Sequence, residues 1–300
     1  MALPQPGIFA LGTSSHAYLE LDLLPGTSSA LALSTAAGLR EPRTTIGGCN
    51  LVAGFRPELW AKSGQSVPDG LSGFNSQVVG AGGYTLPATQ HDMVMWLSGP
   101  SYDVVFDLSR SVVMSLAGYA KLVHEVVGWP YHHDRDLTGF IDGTENPPLV
   151  EATRAAVIPP GQPGEGGSIL LLQQWEHDVP AWEGLGVPAQ EQAMGRRKTD
   201  SEELSPKPPA SHVARNDQDR LGKIFRRNVA YGDVHNHGTI FVGFCARQHI
   251  LASMLEAMVG LDGGPRDALT LFTRALTGAY YFIPSADALA AVAGTGERAG

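Results

Sequence analysis

An α+β fold is predicted for this chain of 300 residues from the order of its apolar patterns. Segments with apolar side chains at alternate positions are interspersed with segments that carry them at helical spacing. In the first half they follow the order strand, helix, strand, strand, helix, strand, which is the ferredoxin-like plan of an antiparallel sheet with helices packed on it. The second half repeats this pattern without repeating the residues. We therefore predict two ferredoxin-like domains, residues 1–150 and 151–300.

The first domain is predicted from short strands and one clearly amphipathic helix. The helix has apolar residues at helical spacing, namely Val104, Val105, Leu108, Val112 and Leu116. Residues 63–90 are rich in Gly, Ser and Pro and predict a long loop. In chain order we expect the strand His16–Leu23, the helix Gly26–Leu39, the strand Asn50–Phe55, a helical turn Arg56–Lys62, the strand Asp92–Leu97, the helix Ser101–Ala117 and the strand Val123–Trp129.

The second domain follows residues 149–167, whose several Pro and Gly residues predict a linker. A proline opens one predicted helix, a position where its missing N–H leaves no bond unmade. Another helix has Ile250, Met254, Leu255 and Met258 on one face. In chain order we expect the strand Ser168–Trp175, the helix Pro188–Arg197, the strand Gly238–Cys245, the helix His249–Val259 and the strand Thr277–Ile283.

Composition narrows the class of protein. Hydrophobic residues make up 43% and charged residues 17%, and a globular chain of this size can enclose a cofactor. The net charge of −9 argues against nucleic acid as a partner. Two cysteines, Cys49 and Cys245, are too few for a disulfide framework. No stretch is apolar for long enough to span a membrane, and residues 1–15 lack Lys, Arg and a long apolar run, so a cytoplasmic location is expected.

The most informative stretch is residues 139–148, Gly-Phe-Ile-Asp-Gly-Thr-Glu-Asn-Pro-Pro. A lone acid, Asp142, follows the apolar pair Phe140 and Ile141 and precedes Gly143, which can take a positive φ. The two prolines end any regular element. By itself the pattern is typical of a surface Asp-Gly turn. This interpretation is favoured over a carboxylate that a rigid turn aims into an apolar space.

This stretch resembles the Gly-x-x-Asp-Gly signature of the dye-decolourising peroxidases, a family of haem enzymes, and the likeness includes the following Thr-Glu-Asn-Pro. The resemblance extends over nearly the whole chain and is closest to the compact bacterial (B-type) members. The other segments that carry it are Pro4–Phe9, His16–Leu23, Ser211–Arg215, Arg226–Gly232 and Thr277–Pro284. It implies two ferredoxin-like halves and a bound haem b, iron protoporphyrin IX, enclosed mainly by the second half.

The resemblance implies that His212 is the axial ligand of the haem iron. A lone histidine is more often a surface or core residue, but imidazole suits iron and a proximal histidine is common in peroxidases. Such a ring needs an acceptor for its second nitrogen. Asp267 is a candidate for that acceptor, and it is equally well interpreted as a carboxylate at a helix N-terminus.

The resemblance also implies a set of residues on the opposite, distal side of the haem. Arg226 and Asn228 match the distal arginine and asparagine, Asp142 is the proton carrier, and Gly143 and Thr144 lie beside the haem together with Arg226. Whether the acid or the arginine dominates peroxide cleavage stays open. We prefer Arg226 to its neighbour Arg227 from the Arg-x-Asn register. The alternative is a solvated basic stretch, part of which could serve the haem carboxylates, made up of Arg215, Arg220, Lys223, Arg226 and Arg227.

Other residues suggest rival sites. His235 and His237 could lie on one face of a strand and bind zinc, and His132, His133 and Asp134 form another cluster, but neither has a third ligand at metal-binding spacing. Loop histidines are therefore the simpler interpretation of both. The large aromatic residues are expected mostly in the core, with one or two at the surface able to relay electrons, namely Trp60, Trp96, Trp129, Trp175, Trp182, Tyr231, Tyr280 and Tyr281.

The predicted function is that of a haem peroxidase, which reduces hydrogen peroxide and oxidises dyes, phenols or similar donors one electron at a time. The alternative is a haem-handling protein, a carrier or iron-releasing module with incidental peroxidase activity. A zinc hydrolase using His235 and His237 is a remote third. We expect a homo-oligomer. Some relatives are packaged in encapsulin shells through a tail, but residues 294–300 contain no apolar docking peptide, so packaging is not expected.

Overall fold

The computed structural model describes residues 2–39, 48–132 and 135–296. The strands are β1 (Ser15–Leu23), β2 (Asn50–Phe55), β3 (Val78–Val79), β4 (Thr85–Leu86), β5 (Met93–Gly99), β6 (Ala120–Trp129), β7 (Ser168–His177), β8 (Phe225–Arg226), β9 (Val229–Gly232), β10 (His237–Cys245), β11 (Thr273–Ala275) and β12 (Ala279–Ile283).

The α-helices are α1 (Ser29–Gly38), α2 (Pro57–Trp60), α3 (Tyr102–Leu116), α4 (Leu149–Ala156), α5 (Val179–Gly184), α6 (Val187–Met194), α7 (His212–Arg215), α8 (Gln218–Leu221), α9 (Gln248–Met258) and α10 (Ala286–Gly296). Single turns of 3₁₀-helix occur at Pro6–Phe9, Ala61–Ser63, Ala81–Gly83 and Ala268–Leu271. None of these helices is long and apolar enough to cross a membrane.

Ten of the strands form one antiparallel sheet in the order β11-β7-β12-β2-β5-β1-β6-β9-β10-β8. A further pairing of β7 with β10, eight residue pairs from Gly238–Glu176 to Cys245–Ile169, closes the sheet into a barrel-like ring. β11 and β8 flank the ring as short extra strands. The fold is therefore α+β with an antiparallel sheet, as predicted.

Each half of the chain contributes four adjacent strands to the ring. The first half supplies β2-β5-β1-β6 and the second β12-β7-β10-β9, and in both sets the first and third strands in chain order lie at the centre. This is the arrangement of a ferredoxin-like unit. The two sets are joined at β12–β2, through Phe282 and Phe55, and at β6–β9. The predicted separate sheet for each half is therefore wrong, because both halves share one closed sheet.

The ring buries both faces of its strands. Its interior holds an apolar cluster that includes Tyr18, Trp96 and Val242, with the Tyr18 and Trp96 rings stacked at 5.9 Å. Outside, α1, α3 and α10 cover the strands of the first half, while α9 packs beside β7 and β10. Even Glu20, on the polar side of the predicted β1 alternation, is only 3% exposed. α9 and the outer face of β7 and β10 form one wall of the cavity described below.

Several predicted boundaries need correction. The predicted linker 149–167 begins with α4, and the predicted loop 63–90 contains the β3–β4 hairpin. The helices α5, α7, α8 and α10 and the strands β8, β9 and β11 were not predicted. Most of these are too short to show a hydrophobic period, since α7 and α8 have four residues each and β8 has two. His212 and Arg226 both lie in such short elements.

Candidate functional site

A cavity lies against the wall formed by α9 and the outer face of β7 and β10. One side is apolar, with side chains from β7 and α9 and the segment before β8, including Leu171, Met254, Met258 and Ile224. The other side carries Asp136, Asp142, His212, Asn216, Arg226 and Asn228. Two neighbouring cavities are also lined by Asp136, Asp142 and Arg226, so the three spaces adjoin at these residues. The sequence-predicted site residues thus converge on one region.

His212 is the first residue of α7, which begins where Ser211 caps the helix by accepting a hydrogen bond from the N–H of Ala214 at 3.4 Å. The imidazole Nδ1 lies 2.7 Å from Oδ2 of Asp267, whose side chain is fully buried. Among the described residues Nε2 has no hydrogen-bond partner, and the ring lines the cavity. One ring nitrogen is therefore fixed by the protein, and the other is available to a ligand.

Asp267 has both of the roles that the sequence left open, as the partner of His212 and as the cap of a helical turn. Its Oδ2 faces His212, while its Oδ1 accepts the N–H of Leu269 at 2.9 Å and so caps the 3₁₀ turn that follows. Burial lowers the pKa of His212, but the Asp267 carboxylate outweighs it and raises that pKa above the usual histidine value. The charge on Asp267 thus favours electron density on the imidazole, which strengthens it as a metal ligand.

Asp142 lies on a tight loop pinned by an antiparallel bridge between Arg135 and Ile141. Its Oδ1 accepts the N–H of Gly143 at 2.7 Å, and Gly143 has a φ of +79°, which only glycine adopts readily. Gly143 lines one of the adjoining cavities, and the exposed Thr144 lines two. The residues that the sequence assigned to haem contact therefore lie at the rim of the site.

Arg226 and Arg227 point to opposite sides of their strand. Arg226 lines the cavity, with Nη2 3.6 Å from Oδ1 of Asp142. Arg227 enters the end of the ring, where it donates to the carbonyls of Ile8 at 2.9 Å and Ala10 at 2.7 Å. Alternation along an extended chain explains the difference. The preference for Arg226 over Arg227 as the cavity residue agrees with this geometry.

The remaining cations of the predicted basic stretch are held by other groups. Arg215 donates to the carbonyl of Ala257 at 2.9 and 3.0 Å and pairs with Asp262. Arg220 also reaches Asp262, at 3.5 Å, and Lys223 pairs with Asp219 at 2.7 Å. Arg226 is thus the member of this stretch that lines the cavity shared with His212, whereas Arg227 lines only one of the adjoining cavities.

Asn228 lies in the interruption between β8 and β9. Its Oδ1 accepts the N–H of Val242 at 2.9 Å, replacing the backbone acceptor that a continuous strand would supply. Because Oδ1 is engaged by the sheet, the amide NH₂ group is the part of the side chain that can serve the cavity. The Arg-x-Asn spacing therefore places a guanidinium and an amide donor on the same side of the chain.

Two residues near the site were not singled out from the sequence. Asp136 is partly buried and lines all three adjoining cavities. Burial first, and the charge of Asp142 second, raise the pKa of Asp136 to about 6. The second is Asn146, whose side chain bonds to the backbone of Arg226. The sequence did offer a signal for Asp136, which lies close to Asp142 in the chain, across a tight loop. No local sequence pattern indicated that Asn146 contacts Arg226.

The structure gives little support to the two histidine clusters that the sequence suggested as other metal sites. His237 begins β10, but His235 lies in the preceding turn, so the two do not share a strand face as the sequence suggested. His132 packs against Tyr131, while His133 and Asp134 lie outside the described residues. No group of three potential metal-binding side chains occurs within residues 2–39, 48–132 and 135–296. Of the eight aromatic residues, Trp129 is the exposed one, at 39%.

The chemistry of the site fits a haem. A macrocycle needs apolar walls, and β7 and α9 supply them. Its iron needs an imidazole with a free nitrogen, and His212, fixed through Asp267, has one. A polar face with an arginine, a carboxylate and an amide is what peroxide cleavage requires. The fold and the composition of the site are those expected of a haem peroxidase.

Comparisons with known proteins identify the family within this class. The family model for the Dyp-type peroxidase C-terminal region matches residues 133–288. The dye-decolorizing peroxidase of Mycolicibacterium paratuberculosis is 33% identical over 306 residues, covering 95% of this chain and 84% of that protein. The dye-decolorizing peroxidase of Brevibacterium linens is 36% identical over 249 residues, covering 79% and 67%.

Solved structures agree. A variant of DypB from Rhodococcus jostii in complex with heme has a TM-score of 0.88 at 30% identity, covering 96% of this chain and 98% of that one. A dye-decolorizing protein from V. cholerae has a TM-score of 0.85 at 32% identity, covering 95% and 98%. This chain belongs to the Dyp-type peroxidase family. It is therefore a haem-dependent peroxidase, with hydrogen peroxide and an electron donor as its substrates.

Proposed function

We propose that His212 binds the haem iron and that Asp142, Arg226 and Asn228 act on peroxide at the opposite face. The observation that carries this proposal is the cavity itself. His212, tied to Asp267, and the Asp142–Arg226 pair line the same space although they are far apart in the sequence. Gly143 and Thr144, at the rim, would contact the edge of the haem.

Haem, when bound, would supply the redox chemistry, which is two-electron reduction of peroxide and one-electron oxidation of a donor. Asp142 accepts the proton from one peroxide oxygen and returns it to the other, as a positioned carboxylate can. The guanidinium of Arg226 stabilises the negative charge that develops as the O–O bond breaks. The NH₂ group of Asn228 donates a hydrogen bond that orients the peroxide.

The substrate range follows from the family. Dyes, phenols and similar donors would each give up one electron at a time. The identity of the natural donor is a separate question. A haem carrier would hold haem through His212 in the same way but would react only slowly with peroxide. The Asp142–Arg226 pair at 3.6 Å favours the peroxidase, because a carrier has no use for a paired acid and guanidinium beside the iron.

We also propose that the chain works as two units, with residues 1–150 supplying the Asp142 loop and residues 151–300 supplying the haem-binding wall. The four-strand sets of the two halves support this division. A cytoplasmic location fits a chain whose two cysteines are both buried. The homo-oligomer stays a prediction, which light scattering of the purified protein would check.

The proposed axial ligand is tested by haem binding. His212→Ala should bind haem at least about tenfold more weakly than the unaltered protein, because it removes the bond to the iron. Haem titration followed at the Soret band measures this. His249→Ala, an exposed histidine on α9, is the matched control and should bind haem normally. A His212→Ala protein with unchanged haem affinity and ferric spectrum would show that another residue binds the iron.

A further inference from the structure

Arg226 lies on an edge of the sheet. On one side β8 pairs with β10, where Arg226 is opposite Gly243, and on the other side no strand of the described chain borders it. The N–H and C=O of an edge residue would ordinarily face solvent there. Instead the side chain of Asn146 accepts from the N–H of Arg226 at 2.8 Å and donates to its C=O at 2.9 Å. One amide side chain thus replaces a neighbouring strand.

Asn146 is also tied to the loop that carries Asp142. It lies four residues beyond Asp142, and its own N–H donates to the C=O of Gly143 at 2.9 Å, which closes the turn. Asp142 in turn accepts the N–H of Gly143 at 2.7 Å. A continuous set of short hydrogen bonds therefore runs from the Asp142 carboxylate through this turn to the backbone of Arg226.

The guanidinium itself has few attachments. Its Nη2 is 3.6 Å from Asp142, near the outer limit of an ion pair. Its Nε is buried and has no hydrogen-bond partner among the described residues. A buried donor without a partner contributes nothing to holding the group in place. The position of the guanidinium therefore depends on how firmly the backbone of Arg226 is held.

We propose that Asn146 is a positioning residue that sets the distance between Asp142 and Arg226 by clamping both to one turn. The inference rests on the proposed function of Arg226 in peroxide cleavage. Asn146 need not touch peroxide or haem to act in this way. A displacement of about 1 Å at a reacting centre can lower a rate by about 100-fold, so a lost clamp should be visible in the kinetics.

A purely structural role is the alternative, and the chain contains its own control. The amide of Gln248 accepts from the N–H of Ser72 at 3.2 Å and donates to its C=O at 2.7 Å, the same pair of bonds at a site on the other side of α9. If such clamps only stabilise the fold, loss of either one should affect stability alone. If the proposal is right, loss of Asn146 should also affect the reaction with peroxide.

The first experiment uses the apoprotein. Asn146→Leu removes both bonds at similar volume, whereas Asn146→Asp keeps the acceptor for the N–H of Arg226. Amide hydrogen exchange followed by NMR should be at least about tenfold faster at Arg226 in Asn146→Leu, and close to the unaltered rate in Asn146→Asp. Gln248→Leu should leave exchange at Arg226 unchanged. Unaltered protection of Arg226 in Asn146→Leu would overturn the clamp.

The second experiment uses the haem-loaded protein and stopped-flow mixing with peroxide. Asn146→Leu should slow the bimolecular reaction by about 10- to 100-fold, Asn146→Asp by less, and Gln248→Leu not at all. Combined with Arg226→Leu, Asn146→Leu should add less than about twofold, because a clamp has no effect once the clamped side chain is gone. A full additional loss in the double variant would overturn the positioning role.

The function of Arg226 and the positioning role of Asn146 can be disproved separately. If Arg226→Leu reacts with peroxide at the unaltered rate, the proposed function of Arg226 is wrong, and the positioning role falls with it. If Arg226→Leu is slow but Asn146→Leu reacts normally, the function of Arg226 stands and the positioning role alone is wrong.

Discussion

Among the described carboxyl groups, Asp136 is the one whose pKa burial raises most clearly. It lines the same cavities as Asp142, and burial together with the charge of Asp142 raises the pKa of Asp136 to about 6, against an ordinary value of 3.8. Thr138 donates its backbone N–H to the Asp136 carboxylate at 2.8 Å, which offsets part of this effect. Near neutral pH the folded protein therefore carries a carboxylate that would be more stable in the unfolded chain.

The consequence is a stability that falls as the pH rises. Between the unfolded pKa of 3.8 and the folded pKa of about 6, the folded state binds more protons, so the free energy of unfolding decreases through this window and the loss is complete above it. The shift corresponds to at most about 3 kcal/mol. Asp136→Asn removes the charge, so it should be more stable than the unaltered protein at pH 7 and show no such gain at pH 4.

Urea unfolding of the apoprotein at the two pH values measures this difference. Asp69→Asn, an exposed carboxylate on a loop, is the control for a general effect of lost charge. An Asp136→Asn protein whose relative stability is the same at both pH values would mean that Asp136 ionises without opposition in the folded chain.

The sequence predicted those site residues that a motif identifies without knowledge of their contacts in the fold. His212, Asp142 and Arg226 were identified through motifs that resemble a family. Asp267 was named as a partner of His212, but only the fold shows that it also caps the turn after it. Asn146 lies in the same motif as Asp142, but the sequence indicated no function for it. Its partner lies 80 residues away on a two-residue strand, which no local pattern reveals.

At the level of elements, side-chain amides repeatedly take the place of missing strand neighbours. Gln5 pairs with the backbone of Ala53 on β2 at 2.8 and 2.9 Å, as Asn146 does with Arg226 on β8, while Gln248 makes the same pair of bonds to Ser72 in a loop. An amide carries one acceptor and two donors and can therefore match a peptide group. The short elements of this fold, β8 above all, are held by such contacts rather than by long ladders.

The turn after Asp142 allows a direct test of this arrangement. Gly143→Ala would strain a residue with a φ of +79° and would place a Cβ 3.2 Å from Nδ2 of Asn146. Gly12→Ala imposes the same strain at a φ of +77° with nothing within 4 Å. Both should lose about 1–2 kcal/mol of stability. Only Gly143→Ala should also slow the reaction with peroxide, because only there are the clamp and the rim of the proposed haem site disturbed.

Thermal unfolding and stopped-flow mixing with peroxide, applied to both variants, separate strain from displacement. Equal kinetic effects of Gly143→Ala and Gly12→Ala would show that strain, and not contact with Asn146, is responsible.

Elements with a long hydrophobic period were predicted well, and short ones were not. The strand Asn50–Phe55 and the helix Ser101–Ala117 match β2 and α3 closely, because six to fifteen patterned residues carry the signal. The linker predicted for residues 149–167 is wrong only for its first part, which forms α4 (Leu149–Ala156). The Pro and Gly residues that indicated a linker begin at Pro159, and residues 157–167 contain no helix or strand.

At the scale of the whole molecule, closure of the sheet is the feature that the sequence did not predict. Local order predicted all four ring strands of the first half but missed β9 in the second, although both halves have the expected central strands. The contacts that join them, β12 with β2 and β6 with β9, link residues that are remote in the chain. Periodicity is a local property and contains no information about such pairings. The position of the cavity therefore depends on strand pairings that the sequence alone does not indicate.

The net charge of −9 also acts on the whole molecule, and it predicts how an anionic dye approaches. Near the cavity rim the charges largely cancel, since Arg196 pairs with Glu145 and Glu203, and Lys207 pairs with Glu203 at 2.6 Å. The long-range repulsion by the molecule as a whole should therefore dominate the encounter with a sulfonated dye.

Salt should consequently accelerate the oxidation of an anionic dye at neutral pH. At an ionic strength of 0.1 M the screening length is about 10 Å, shorter than the distance over which the net charge acts. kcat/KM for a sulfonated dye should rise with ionic strength at pH 7, and the rise should be smaller at acidic pH, where protonated carboxylates and histidines reduce the negative charge. A neutral phenol should show no dependence on salt at either pH, which controls for effects on the reaction itself. If kcat/KM for the dye falls with added salt, attraction by local cations outweighs the net charge, and the dye binds at a basic patch rather than at the neutral rim.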